Sequence, residues 1–234
     1  EMCEKALDLK LDGICFTEHM DLTPEDPAYE YFDLDSYIAD LEKAKKKYHN
    51  LKVLGGVEFC KPHLHPRALK ELSSRKIDVV LASVHWMEEM MFGGGKLVKS
   101  FAEPVLYRKY YNLVKEMVEY GGFEILAHLD LPKRYIKGDQ GKYEHLELIG
   151  DILEKIIEKD IVLEINTSSL RRGMEELMPS EKILKMYVKK GGKKVTLASD
   201  AHRAGDIAAG FTRAKKVIKR LNLSCGYYEK REFV

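Results

Sequence analysis

The chain has 234 residues, 45% of them hydrophobic, which is typical of one domain with a full core. Its 39 Lys and Arg residues nearly balance 38 Asp and Glu residues, and the net charge of +1 excludes an overall field that would attract nucleic acid or a membrane surface. No apolar run approaches the ~20 residues of a membrane span, and the four cysteines form no CxxC pair. We therefore expect a soluble, cytoplasmic protein.

Short apolar segments alternate with longer segments of helical periodicity, a pattern typical of parallel strands joined by crossover helices. After a helix at 1–11, strands are predicted at 13–17, 51–57, 77–84, 123–127, 161–165 and 194–199. Helices are predicted at 34–48, 66–75, 103–120, 142–159, 180–190 and 205–221. This order predicts one α/β domain over residues 1–234, built as a barrel of parallel strands.

Two longer loops interrupt the alternation. Residues 20–33 carry prolines and aromatic side chains, and residues 86–102 carry Trp86, several methionines and the run Gly93-Gly94-Gly95. Long loops in a compact α/β domain are usually functional, so both are predicted to form the rim or lid of a pocket. A flexible surface excursion is the alternative, and for the glycine run the two interpretations have equal weight.

A potential metal ligand or polar catalytic group follows every predicted strand. In chain order these are Glu18 with His19, Glu58, His85, His128, Asn166, and Asp200 with His202. Because parallel strands in a barrel end on one face, these side chains should converge there. Imidazoles and carboxylates together are ligands of zinc, manganese or iron, and several of each suggest more than one ion. Hydrolysis of a phosphate ester is the natural chemistry of such a centre.

Histidine placement decides between a metal site and separate structural roles. A single histidine at a strand end is more often a structural residue, because it readily bonds a neighbouring carbonyl. Four of the eight histidines, however, fall just after a predicted strand, which random placement would rarely produce. The pair His63 and His65 does not share this placement and is bracketed by prolines, so a loop role is favoured for it.

The segments that carry these side chains form an ordered set: TEHMD, GVEF, SVHW, AHLD and SDAH. In this order and spacing they resemble the successive motifs of the PHP (polymerase and histidinol phosphatase) family of metal-dependent phosphoesterases, over almost the whole chain. The resemblance implies a distorted (β/α)7-type barrel with two to three divalent transition metals, zinc, manganese or iron, and no nucleotide cofactor. By position it implies the metal ligands His19, Glu58, His85, His128, Asp200 and His202. Glu18 could bind an ion, but orienting a metal ligand is at least as well supported.

Within that family, the segments EINTSSLRRG at 164–173 and MPS at 178–180 resemble those of the histidinol-phosphate phosphatases. The resemblance implies a phosphoric monoester hydrolase of histidine biosynthesis. The expected reaction is attack of a metal-bound hydroxide on L-histidinol phosphate, a small phosphorylated substrate. Arg171 is predicted to grip the phosphate, because a guanidinium offers a planar fork to two oxygens. A surface role is equally compatible with its charged loop. Arg203 and Lys133 are weaker candidates for the same contact.

One motif of the family is not found at its place in residues 1–234. The resemblance implies an opening strand with an HxH pair of ligands, so we expect that strand to be absent from this chain and to lie in an upstream extension of roughly 15 to 25 residues. Two rival functions remain open. The first is a PHP phosphodiesterase or exonuclease acting on nucleic acid, which the balanced charge disfavours. The second is a non-catalytic binding module that has lost the opening motif.

Overall fold

A curled sheet of parallel strands forms the centre of the molecule. The structure is a computed structural model and describes residues 1–26, 29, 31–136 and 144–234. Within these residues the sheet has seven strands in sequence order: β1 (Gly13–Met20), β2 (Lys52–Cys60), β3 (Val79–Ser83), β4 (Ile125–Leu126), β5 (Val162–Asn166), β6 (Lys194–Ala198) and β7 (Ser224–Gly226). All neighbours pair in parallel, which confirms the predicted fold class as a half-barrel with β1 and β7 at its edges. A further strand before β1 stays a prediction.

Helices connect the strands at nearly the predicted places. They are α1 (Met2–Asp8), α2 (Leu34–Lys47), α3 (Pro66–Ser74), α4 (Lys96–Ser100), α5 (Glu103–Tyr120), α6 (Leu146–Glu158), α7 (Ser168–Arg171), α8 (Glu181–Lys189) and α9 (Phe211–Arg220). The predicted helix at 205–221 begins late, because Ala208 and Gly210 have φ of 56° and 80°, which no α-helix accommodates. Residues 142 and 143 of another predicted helix lie outside the described residues. Among the described helices, none is both long enough and apolar enough to cross a bilayer.

Side chains of the strands alternate between two apolar layers, as the period of a strand requires. One layer packs against the helices and includes Val57, Phe59, Val80, Leu126, Leu163 and Ile165. The other lies inside the curled sheet and includes Val79, Leu81, Ile125 and Val162. Glu58 and Glu164 each lie between two residues of the helix-side layer, so the alternation turns their carboxyl groups inward.

Glycine allows α2 to pack directly on β2. A Cβ atom at Gly55 would lie 2.0 Å from Cδ1 of Leu41 on the helix, a separation that no side chain could occupy. The glycine pair before Glu58 therefore has a packing role, and it fixes the strand that carries this carboxylate.

A C-terminal hairpin lies at the amino ends of the strands. It pairs Tyr228–Glu229 with Glu232–Phe233. Arg231 Nε donates to Oε1 of Glu124 at 2.9 Å, and the Lys230 amide donates to Oδ1 of Asp78 at 3.0 Å. Since Asp78 and Glu124 directly precede β3 and β4, the hairpin leaves the opposite face, where the strands end, open.

The two long loops meet at that opposite face. Trp86 follows β3 in a short hairpin with Met90–Met91, and its indole Nε1 donates to Oδ2 of Asp26 at 2.7 Å. This contact places both loops beside the strand ends and supports their predicted role as a rim. Residues 27, 28 and 30 of the first loop lie outside the described residues.

Candidate metal centre

Three imidazoles converge on the carboxylate of Glu58. The Nε2 atoms of His128 and His85 lie 2.7 and 3.1 Å from its Oε1, and Nε2 of His19 lies 3.8 Å from its Oε2. The Nε2 atoms of His85 and His128 are 3.3 Å apart. Atoms of His19, Glu58 and His85 thus lie close enough to share one ion.

Strand geometry brings these four residues together. His19 and Glu58 are opposite each other in the register of β1 and β2. His85 lies two residues after the end of β3, and His128 lies two residues after the end of β4. Consecutive strands of a parallel sheet therefore deliver their side chains to one point, as the sequence predicted.

Asp21 orients two of the imidazoles. Its carboxylate lies 3.3 Å from Nδ1 of His19 and 3.4 Å from Nδ1 of His85, and its side chain is only 8% exposed. A carboxylate on one ring nitrogen fixes the orientation of a histidine and directs the other nitrogen at a metal. We did not predict this residue from the sequence, where only its place in TEHMD, two positions after His19, gave a signal.

Asp200 and His202 form a second part of the basin. Oδ2 of Asp200 accepts hydrogen bonds from Nη2 of Arg134 at 2.8 Å and from Oγ of Ser168 at 2.9 Å. Its Oδ1 faces Nδ1 of His202 at 3.5 Å. The His202 ring is also 5.8 Å from that of His19. One oxygen of Asp200 is thus occupied, and the other faces His202.

Burial and charge act in opposite directions on the pKa values of this cluster. Burial raises the pKa of Glu58, but His85 and His128 outweigh it and hold that pKa well below 4.5. Burial lowers the pKa of His85, yet Glu58 and Asp21 raise it well above 6.5. The pKa of Asp21 is likewise lowered, since hydrogen bonds from His19 and His85 overcome its burial. The charged forms of Glu58, Asp21 and His85 are thus favoured, and a divalent cation that binds here would compete with the proton on His85.

Glu164 supports His128 from the neighbouring strand. Its Oε2 accepts the His128 backbone N–H at 2.8 Å and Nδ2 of Asn166 at 3.1 Å. Burial, followed by the charge of nearby Glu58 among other effects, raises the pKa of Glu164 to about 7. Glu164 also was not predicted, because a glutamate inside an apolar strand gives no signal until the inner face of the sheet is known.

The basic residues predicted to bind phosphate lie in three different environments. Nζ of Lys133 is 2.6 Å from Oδ2 of Asp130 and donates to the carbonyl of Leu177, with 2% of the side chain exposed, which favours a structural role. Arg171 donates to two backbone carbonyls. Arg203 is exposed beside His202, and Glu18 is exposed on β1. Substrate contact by Arg203 and the orienting role of Glu18 stay predictions.

A cavity of about 750 Å³ opens beside the cluster. His19, Glu58, Asp200 and His202 line it together with Asn166. This volume is in the range of small-molecule sites. The donor atoms around Glu58 fit a divalent transition metal, because imidazole nitrogens and carboxylate oxygens are its usual ligands and three imidazoles converge here on one carboxylate.

Comparisons with known proteins agree with this geometry. A family model described as PHP domain matches residues 1–168. The probable histidinol-phosphatase of Clostridium acetobutylicum is 31% identical over 238 residues, covering 97% of this chain and 91% of that protein. That of Deinococcus radiodurans is 29% identical and covers 94% of this chain and 85% of that protein.

A solved structure shares the fold. The crystal structure of histidinol phosphate phosphatase from Lactococcus lactis, complexed with zinc, L-histidinol and phosphate, has a TM-score of 0.85. It is 21% identical and covers 99% of this chain and 90% of that chain. The half-barrel described above is thus the fold of that protein.

Proposed function

Since this chain belongs to the PHP domain family, we propose that its strand-end cluster is a metal centre that hydrolyses L-histidinol phosphate to L-histidinol and phosphate. The observation that carries the proposal is the convergence of three imidazole Nε2 atoms on the buried carboxylate of Glu58. Such a set of ligands is typical of hydrolytic metal sites.

Two to three divalent ions, zinc, manganese or iron, would be held by the residues that the sequence predicted. These are His19, Glu58, His85, His128, Asp200 and His202. When bound, such ions lower the pKa of water and neutralise the charge of a phosphate group. The Lactococcus lactis protein contains zinc, which supports the choice of ion.

The protein's own side chains set the orientation of this centre. Asp21 holds Nδ1 of His19 and His85, so that both rings present Nε2 to Glu58. Arg134 and Ser168 hold Oδ2 of Asp200, which leaves Oδ1 for an ion. Ligands held in fixed orientations by such contacts reduce the reorganisation that binding requires.

The substrate is a small phosphate monoester. Curated relatives that cover nearly the whole chain are named histidinol-phosphatases, and the Lactococcus lactis structure contains L-histidinol and phosphate. The cavity beside Glu58 has room for such a molecule. Arg203 is our proposed phosphate contact, because it is exposed beside His202, whereas the cationic groups of Arg171 and Lys133 already have partners.

A phosphate-release screen tests the proposal. Protein loaded with Mn²⁺ or Zn²⁺ should release phosphate from L-histidinol phosphate with a higher kcat/KM than from other phosphate monoesters or from a phosphodiester. Glu58→Gln should lower that rate by at least ~100-fold, the upper range for losing a group that merely supports metal ligands. The same change at exposed Glu42 on α2 should leave the rate unchanged. Preference for a phosphodiester or a nucleic acid would contradict the proposal.

A further inference from the structure

Asp200 has a left-handed backbone conformation. Its φ is 51°, in a region that most residues with a Cβ atom avoid and that aspartate adopts more readily than most, so contacts with neighbouring residues add to its stability there. The residue follows β6 by two positions, where ladder hydrogen bonds no longer hold the chain. Because φ sets the direction of the Cα–Cβ bond relative to the preceding chain, this conformation decides where the Asp200 carboxylate points.

Arg171 makes the contacts that hold this backbone. From the end of α7, Nη1 donates to the carbonyl of Ser199 at 2.6 Å and Nη2 donates to the carbonyl of Asp200 at 2.8 Å. These carbonyls belong to the two peptide units on either side of the Asp200 Cα atom. A planar fork that binds both at once fixes the rotation between them.

A carboxylate in turn holds the guanidinium. Nε of Arg171 lies 3.4 Å from Oδ1 of Asp206, and the arginine side chain is 23% exposed. The pair of N–H groups at the end of the guanidinium, one on each terminal nitrogen, therefore already forms a two-pronged contact with the backbone. The sequence predicted a two-pronged contact for this guanidinium. In the structure the acceptors are backbone carbonyls of the loop that carries Asp200, not phosphate oxygens.

We propose that Arg171 is a positioning residue that holds Asp200 in its left-handed conformation and so sets the affinity of the centre for metal. The inference rests on the proposed metal site, and it replaces phosphate gripping as the role of Arg171. The sign of the effect is diagnostic. A positive charge near a cation site repels the cation, so by charge alone the loss of Arg171 would strengthen metal binding. Loss of positioning would weaken it.

Equilibrium dialysis with Mn²⁺ separates these effects without any substrate. Arg171→Met should bind Mn²⁺ about 10- to 100-fold more weakly than the wild type, as expected when the support of a metal ligand is lost. Arg171→Lys, which keeps the charge with a single donor group, should fall between them. Arg172→Met, the same change at the exposed neighbouring position, is the control and should bind normally. Mn²⁺ affinity that is unchanged or tighter in Arg171→Met, or fully restored in Arg171→Lys, would overturn the inference.

Two further measurements test the role of Arg171 independently of the proposed reaction. At saturating Mn²⁺, KM for histidinol phosphate should change less than about threefold in Arg171→Met, and a tenfold rise with normal metal affinity would restore the phosphate-gripping role. Hydrogen exchange needs neither metal nor activity. Amides of residues 199–206 should exchange at least tenfold faster in the metal-free Arg171→Met protein than in Arg172→Met, and equal rates would overturn the inference even if the protein hydrolyses another substrate.

Discussion

At the scale of single residues, His85 is a proposed metal ligand whose side chain can be removed without disrupting the core, because it lies at the mouth of the half-barrel with 15% of its side chain exposed. His85→Ala should reduce the metal content by about one ion per chain and leave the far-UV circular dichroism unchanged. Elemental analysis of the reconstituted protein measures the loss. His49→Ala, at an exposed position, is the control. A variant that keeps its metal, or that fails to fold, would favour a structural role for His85.

Lys133 should affect stability rather than catalysis. Its ammonium and the Asp130 carboxylate form an ion pair with only 2% and 4% of their side chains exposed. Lys133→Met would leave a buried carboxylate without its partner, so the free energy of unfolding should fall by about 3–5 kcal/mol. Denaturant unfolding checks this value, and steady-state kinetics of the folded variant should give an unchanged KM. An increase in KM with normal stability would instead establish the substrate contact that the sequence predicted.

The metal-ligand candidates could be predicted from the sequence, whereas the residues that support them could not. His19, Glu58, His85 and His128 are tied to strand ends, and a parallel sheet brings strand ends together whatever the loops do. Asp21 and Glu164 act through contacts to other strands, which depend on loop paths and on the inward face of each strand. The contacts of Asp21 with His85 and of Glu164 with His128 have no fixed spacing, so the only sequence signal was the place of Asp21 in TEHMD.

At the scale of elements, regular hydrophobic periodicity was sufficient to predict the longer strands and helices, whereas the short ones were missed. Six strands and the longer helices lie close to their predicted positions, since each buries an apolar face of the expected period. β7 escaped prediction because it has three residues, Ser224–Gly226, with no apolar alternation. Helix α7 was not predicted because its four residues are polar or charged apart from Leu170. Side-chain contacts with the site hold it in place.

The junction between the C-terminal hairpin and the sheet predicts a pH effect. Burial raises the pKa of Glu124 above 4.5 despite its contacts with Val80 and Arg231. Because the pKa of Glu124 is higher in the folded than in the unfolded protein, protonation of this carboxyl favours folding. Its contribution to stability is therefore fully present below pH 4.5 and is lost as the pH rises through the folded-state pKa. Glu124→Gln cannot titrate, and wild type should therefore lose stability relative to this variant as the pH rises from about 4 to 7. Urea unfolding at several pH values measures the difference in the free energy of unfolding. If the wild type instead became more stable relative to the variant over this range, the Arg231 ion pair would outweigh the effect of burial.

At the scale of the whole molecule, metal binding should stabilise the fold. The proposed centre gathers side chains from β1, β2 and the segments after β3, β4 and β6, and an ion held by His19, Glu58 and His85 would link the first three of these. At a free metal concentration about 100-fold above Kd, the free energy of unfolding should rise by about 2.7 kcal/mol. This corresponds to a rise in Tm of roughly 5–10 °C for a chain of this size. Calorimetry of chelator-treated and metal-loaded protein tests it, and equal Tm values would mean that no ion joins these strands.

The most direct test of the account is phosphate release from L-histidinol phosphate by protein that is stripped with a chelator and then titrated with Mn²⁺ or Zn²⁺. The structure places imidazoles around a buried carboxylate, and in the proposed reaction a metal ion bound there activates the water, so the stripped protein should be inactive. Activity should return with added metal and saturate at two to three ions per chain. Phosphate release that survives complete removal of metal, or that stays absent from fully loaded protein at saturating substrate, would contradict the assignment of this cluster as a hydrolytic metal centre.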